Sequence, residues 1–310
     1  FLDNHQEEKV VYNKSDFDIK YKKDLINILY KINQNYTNSI EQLYPTFSQN
    51  PYKNYEIENI VDQTREKINI DVEINNLGDL LQLIKNNPLI ENAEYNIDIK
   101  TLHKIHPPLQ DLNNMIGMNS LKENIVDQII YYIQGFHKYQ SSDFMHTVIY
   151  GPPGTGKTEI AKIIGKIFSD LGILKRGTFK KVTRSDLIAG YLGQTALKTR
   201  DVIRESLGGV LFIDEAYALG NSEKRDSFAK ECIDTLCEAL SDNKDNIMVI
   251  IAGYEEELKT CFFDYNKGLD SRFTWRFKTD DYSYNELYKI FIKKVFDNKW
   301  CIKENEDITD

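Results

Sequence analysis

The sequence predicts an α/β protein, a parallel sheet flanked by helices, preceded by a mainly helical region over residues 1–106. Three observations carry this. From Leu109 onward the apolar runs "TVIYG", "VLFIDEA" and "IMVIIAG" alternate with helix-length periodic segments, and continuous apolar runs are what strands covered on both faces look like. The glycine-rich stretch "GPPGTGKT" joins one such run directly to a helical pattern. Ahead of both, apolar residues at Leu25, Leu29, Ile32, Tyr36, Ile40 and Leu43 recur every three or four positions, one stripe of an amphipathic helix.

Taken in order, that first helix ends in "PTFSQNPYKN", where two prolines act as breakers. "KINIDVEI" (67–74) alternates as a strand does, and "DLLQLIKNNP" (79–88) reads as a short helix stopped by Asn and Pro. His103 and His106 stand just before Pro107 and Pro108; two histidines without a third ligand read as linker residues rather than a metal site. The paired prolines mark the expected boundary, giving a region 1–106 as a candidate partner-binding part, a core 107–280 and a final helical segment 281–310. The stripe at Leu25 to Leu43 reads first as that region's own core.

The chemistry lies in the core. "GPPGTGKT" comprises Gly151, Pro152, Pro153, Gly154, Thr155, Gly156, Lys157 and Thr158, between the strand "HTVIY" and the helix "KTEIAKIIGKIF". Such a loop wraps backbone N–H groups round phosphates at the positive end of a helix, Lys157 reaching the β and γ phosphates and Thr158 offering its hydroxyl to Mg²⁺. "GGVLFIDEA" ends a second buried run in Asp214, placed to hold Mg²⁺, and Glu215, placed as general base for an attacking water. The expected ligands are therefore ATP and Mg²⁺, and the expected reaction is hydrolysis.

The motifs "PPLQDLNNMIGMNSLKENI", "GPPGTGKT", "YLGQT", "LFIDEAYAL", "IIAGYEEEL" and "GLDSRF" resemble, in this order, those of AAA+ ATPases, and most closely the CbbX (CfxQ) group, over residues 107–300. The resemblance implies a five-stranded parallel sheet, a C-terminal helical lid of which "DYSYNELYKIFIKKVFDNKW" is the start, and a homo-oligomeric, hexameric ring acting on a protein client. It also implies that Ile116 and Gly117 line an adenine pocket and that Arg272 is an arginine finger reaching the neighbouring subunit's γ-phosphate; on the residues alone Arg272 reads equally as a surface or salt-bridged arginine. Tyr191, Leu192 and Gly193 fall where such rings project an aromatic loop into the pore, where a tyrosine face grips an extended chain and glycines let it swing. At the end of the strand after Asp-Glu, where many AAA+ proteins have Asn, this chain has Gly253 and Tyr254.

Charge and composition bound the alternatives. There are 12 basic against 17 acidic residues up to His106 and 27 against 31 from Pro107 on. Neither half is basic, which disfavours a nucleic-acid motor; a nucleotide-dependent scaffold is the other alternative. Four scattered cysteines, Cys232, Cys237, Cys261 and Cys301, form no Cys-x-x-Cys pair and point to a reducing, cytoplasmic compartment. No apolar run approaches the roughly 18 residues of a membrane helix, and "FLDNHQEEKV" lacks the regions of a signal peptide. Starting at Phe1 without methionine, the chain reads as a fragment or a processed form.

Overall fold

The computed structural model describes residues 66–138, 144–191, 193–223 and 225–300. The periodic stripe at Leu25 to Leu43, Leu192 and Cys301 lie outside the described residues. In chain order the elements are β1 (Glu66–Ile68), α1 (Leu77–Asn86), β2 (Ala93–Tyr95), α2 (Ile99–Asn113), α3 (Asn119–Ile133), β3 (Thr147–Tyr150), α4 (Lys157–Asp170), β4 (Phe179–Val182), α5 (Arg184–Leu187), α6 (Thr195–Ser206), β5 (Val210–Ile213), α7 (Ser227–Asp242), β6 (Met248–Gly253), α8 (Glu255–Cys261), α9 (Lys267–Arg272), β7 (Trp275–Lys278) and α10 (Tyr284–Asp297).

The main sheet runs β4-β5-β6-β3-β7 and every pair is parallel. Its three central strands are buried along their whole length, which explains why they read as unbroken apolar runs. Helices cover both faces, so the core falls into two clusters. One packs α1 to α4 on one side, with Ile105, Leu109, Ile160 and Phe168 among its members; the other packs α6 and α7 on the opposite side, with Ile203, Ile233 and Leu236. The odd and even residues of β5 divide between them, Phe212 joining the first cluster and Leu211 and Ile213 the second, as the two-residue period of a strand requires.

Two expectations change. The alternating stretch 67–74 forms only a three-residue strand, β1, paired in parallel with β2. Its continuation is taken over by a side chain: Asn96 accepts from the Ile70 N–H at 2.8 Å and donates to the Ile70 carbonyl at 2.9 Å, so the local amide replaces further ladder bonds. The paired prolines mark no break either. Pro107 and Pro108 lie inside α2, and Leu102 and Ile105 before them are buried in the same core as Leu109 and Leu112 after them. Each internal proline costs about 3 kcal/mol, and burying four large aliphatic side chains at about 1.5–3 kcal/mol each offsets both. Residues 66–106 thus belong to the compact unit that holds the sheet, which spans 64–310. His103 is spent within this packing, its Nε2 lying 2.8 Å from the Asn87 carbonyl.

His146, just before β3, is completely buried between the Phe144 and Phe273 rings. Its Nδ1 accepts from the Val249 N–H at 3.2 Å. Burial pushes its pKa down to about 4. The unfolded chain takes up this proton near pH 6.5 and the folded one only near pH 4, so stability falls as pH drops through that window, by roughly 3 kcal/mol in all. Urea unfolding at pH 7 and pH 4.5 is expected to show a smaller acid loss in His146→Gln than in the parent chain. Equal losses would place the acid sensitivity elsewhere.

Candidate nucleotide site

The phosphate loop is shaped by its glycines. Gly154 and Gly156 have φ of 76° and 85°, values that an L side chain adopts only with strain. Gly151 is held for a second reason: a Cβ there would fall 1.9 Å from Thr279 Oγ1 and 2.6 Å from the Thr279 carbonyl. That threonine, at the end of β7, is a site residue that sequence reading missed. It is buried, its hydroxyl and that of Thr155 share a hydrogen bond of 2.9 Å, and its N–H donates to the Tyr150 carbonyl at 2.8 Å. Nothing in the sequence links positions 155 and 279, because only the parallel pairing of β3 with β7 brings them together.

The loop delivers Lys157 as the first residue of α4. Its ammonium donates to the carbonyls of Gly151 at 2.8 Å and Pro152 at 2.5 Å. Burial lowers its pKa, while the carboxylates of Asp214 and Glu215 pull the other way, so the protonated form has charge partners in the cavity. Gly151, Pro153, Gly154, Gly156, Lys157 and Thr158 form one wall of a cavity of about 370 Å³, and Asp214, Glu215, Tyr217, Gly253 and Tyr254 form the other.

Asp214 ends up here because β5 adjoins β4 and β6, its N–H bonded to the Val182 carbonyl at 3.1 Å. Lys181, from β4, lies 2.6 Å from its carboxylate. Glu215 sits in the left-handed region, φ 51° and ψ 47°, a strained conformation for a non-glycine residue of the kind that gathers at working sites. These two carboxylates are shared with an adjoining cavity of about 650 Å³, lined by Lys181, Arg184, Ile188, Ala189 and Gly190, which reaches the foot of the Tyr191 loop. Arg184 braces that foot, donating to the Ala218 carbonyl at 2.9 Å and to Asp226 at 2.6 Å.

Ile116 and Gly117 lie in the turn before α3, and Gly117 has φ of 71°. A Cβ on Gly117 would meet Glu286 Oε1 at 2.6 Å, and one on Gly156 would meet Met115 and Met118 at 3.4 and 3.5 Å. Tyr282 donates to the Thr155 carbonyl at 3.1 Å. The turn therefore sits between the phosphate loop and the base of α10.

Arg272 and the Tyr191 loop stand away from this cavity. Arg272, the last residue of α9, donates through Nε to Ser241 Oγ at 2.7 Å and through its guanidinium to the Gly268 carbonyl, with the Phe144 ring 5.9 Å away. Tyr191 is 75% exposed, and Gly193 beside it has φ of 77°. Among the described residues no cluster of three His, Cys, Asp or Glu side chains suits a metal, and no helix is long and apolar enough to cross a membrane.

A strand that runs through a glycine loop into a helix, one strand away in a parallel sheet from a second strand ending in paired carboxylates, defines a P-loop nucleotide-binding protein. Residues 147–275 match the family profile described as "ATPase family associated with various cellular activities (AAA)". The chain is 43% identical to a cfxQ-like protein of Acanthamoeba polyphaga mimivirus, over 68% of this chain and 52% of that one. It is 36% identical to stage V sporulation protein K of Bacillus subtilis, over 69% of each. With the ESX-3 secretion system protein EccA3 of Mycolicibacterium smegmatis it shares 44% identity over 48% of this chain and 24% of that one. The chain belongs to the AAA family of ATPases, in the branch related to CbbX and CfxQ. It spans about half the length of the mimivirus relative and about a quarter of EccA3.

Proposed function

We propose that this chain hydrolyses ATP with Mg²⁺ in a ring of identical subunits and uses the turnover to remodel a protein client through the Tyr191 loop. The observation that carries the reading is that the phosphate loop and the Asp214–Glu215 pair line a single cavity.

The residues fit the group expected there. The N-terminus of the fourteen-residue α4 and the loop glycines with positive φ supply N–H donors and positive potential for phosphates. Thr158 and Asp214 offer a hydroxyl and a carboxylate, the hard oxygen donors that Mg²⁺ takes, and bound there the ion would neutralise charge on the β and γ phosphates. Lys157 exchanges its two loop carbonyls for phosphate oxygens. Glu215 accepts the proton of the attacking water as the water oxygen bonds to phosphorus and the bond to the ADP oxygen breaks. Arg272, outside its own subunit's cavity, would serve the cavity of the next subunit.

Coupling to a client rests on the loop at Tyr191, a large aromatic face exposed between Gly190 and Gly193. Its foot and the nucleotide cavity share the Asp214–Glu215 wall, so movement at Glu215 has a direct path to the loop. Tyr191→Ala is expected to keep the basal ATPase within about twofold while abolishing unfolding of a fluorescent client, which a loop that only packs on the surface would leave intact.

A further inference from the structure

Arg276 has no part in the steps above. It sits on the edge strand β7, in register with Val148 of β3. Side chains alternate along a strand, so Phe277 enters the first core cluster and Arg276 turns to the other face of the sheet. There it meets residues of the second cluster, Tyr150, Phe263 and Phe273, and its guanidinium stands 5.1 Å from the centre of the Phe263 ring.

Most of its donors go to the segment that carries Arg272. Nη2 donates to the Asp270 carbonyl at 3.0 Å and to the Asp270 carboxylate at 2.7 Å, and Nε donates to the Phe273 carbonyl at 3.2 Å. The last carbonyls of a helix find no partner within it, and α9 ends at Arg272. One guanidinium therefore ties down the backbone on both sides of Arg272, a task that suits a planar fork of fixed donors better than a flexible ammonium. The remaining contact runs toward the sheet: Nη1 donates to the Tyr150 hydroxyl at 3.0 Å. Tyr150 ends β3 and directly precedes Gly151. The segment bearing Arg272 thus hangs from the strand that leads into its own subunit's phosphate loop.

We propose that Arg276 is a positioning residue for hydrolysis at the neighbouring site: by holding the end of α9 against Tyr150 it sets the direction in which Arg272 leaves its own subunit. The proposal rests on the reading of Arg272 as a residue that acts on the next subunit's nucleotide. Arg276 itself does not line its own subunit's nucleotide cavity. Its effect on turnover passes through Arg272, with Asp270 as its counter-charge and the Tyr150 hydroxyl as its anchor.

The test is a double-mutant cycle on steady-state hydrolysis of Mg·ATP by the full chain, with ADP affinity followed alongside. Arg276→Met keeps the length of the side chain and removes every donor. It is expected to lower kcat about tenfold to a hundredfold, the scale of a misplaced catalytic group, with ADP affinity held within about twofold. In the Arg272→Ala background the same substitution is expected to change kcat by less than about twofold, because nothing is left to position. An arginine with a merely structural role lowers kcat by one factor in both backgrounds. Tyr150→Phe, which removes the anchor alone, is expected to lower kcat by a smaller factor and again only where Arg272 is present; it decides the question if Arg276→Met does not fold. Turnover like the parent's in these variants, or an equal loss with and without Arg272, overturns the proposal while the reading of Arg272 stands. If Arg272→Ala itself turns over like the parent, both readings fall together.

Discussion

Glu215→Gln is expected to bind ATP as tightly as the parent chain and to hydrolyse it about 10²–10⁴ times more slowly, the usual contribution of a positioned general base. The substitution keeps the size and the hydrogen-bonding reach of the side chain and removes its ability to accept a proton. Glu215 lines the cavity opposite Lys157 and Thr158, so the phosphate contacts on the other wall are untouched. Its strained backbone, φ 51°, is held by the chain on either side, with the Glu215 carbonyl accepting from the Ala218 N–H at 2.8 Å. The amide therefore occupies the same place. Fluorescent-nucleotide binding and phosphate release check the two halves of the statement. Undiminished turnover would remove Glu215 from the mechanism.

The second large effect is expected at Arg272. Arg272→Ala is predicted to lower kcat about 10³-fold, the scale of an arginine finger, with nucleotide affinity held, because the side chain takes no part in the wall of its own subunit's cavity. The local loss is modest by comparison: the hydrogen bond to Ser241 Oγ is worth about 1 kcal/mol. Mixing Arg272→Ala with Glu215→Gln separates the two roles. Each variant alone is slow, and an oligomer containing both restores complete sites wherever an intact Glu215 faces an intact Arg272. Absence of recovery in mixed oligomers would return Arg272 to its other reading, a surface or salt-bridged arginine.

Much of this was legible in the sequence because it is local. The phosphate loop, its flanking strand and helix, and the Asp-Glu pair at a strand end are each encoded in about ten consecutive residues, and the fold places them as read. Contacts that depend on strand order were not legible. Thr279 meets Thr155 because β7 pairs with β3, Lys181 reaches Asp214 because β4 pairs with β5, and Tyr217 meets Tyr254 across the ends of β5 and β6. The paired prolines misled for the opposite reason: their local preference is real, and the buried stripe of Leu102, Ile105, Leu109 and Leu112 overrides it. Arg272 shows a third case, since whether an arginine acts on a neighbouring subunit is a property of an assembly and not of one chain.

In the proposed mechanism ATP is hydrolysed at a site completed by a second copy of the chain. The most direct measurement is the ATPase rate per protomer against protein concentration, with Mg²⁺ present and the oligomeric state followed by light scattering. The expected rate climbs as oligomers form and levels off once assembly is complete. An equal rate per protomer in monomers and oligomers would contradict it, as would a chain that binds ATP and assembles yet turns over no faster than Glu215→Gln.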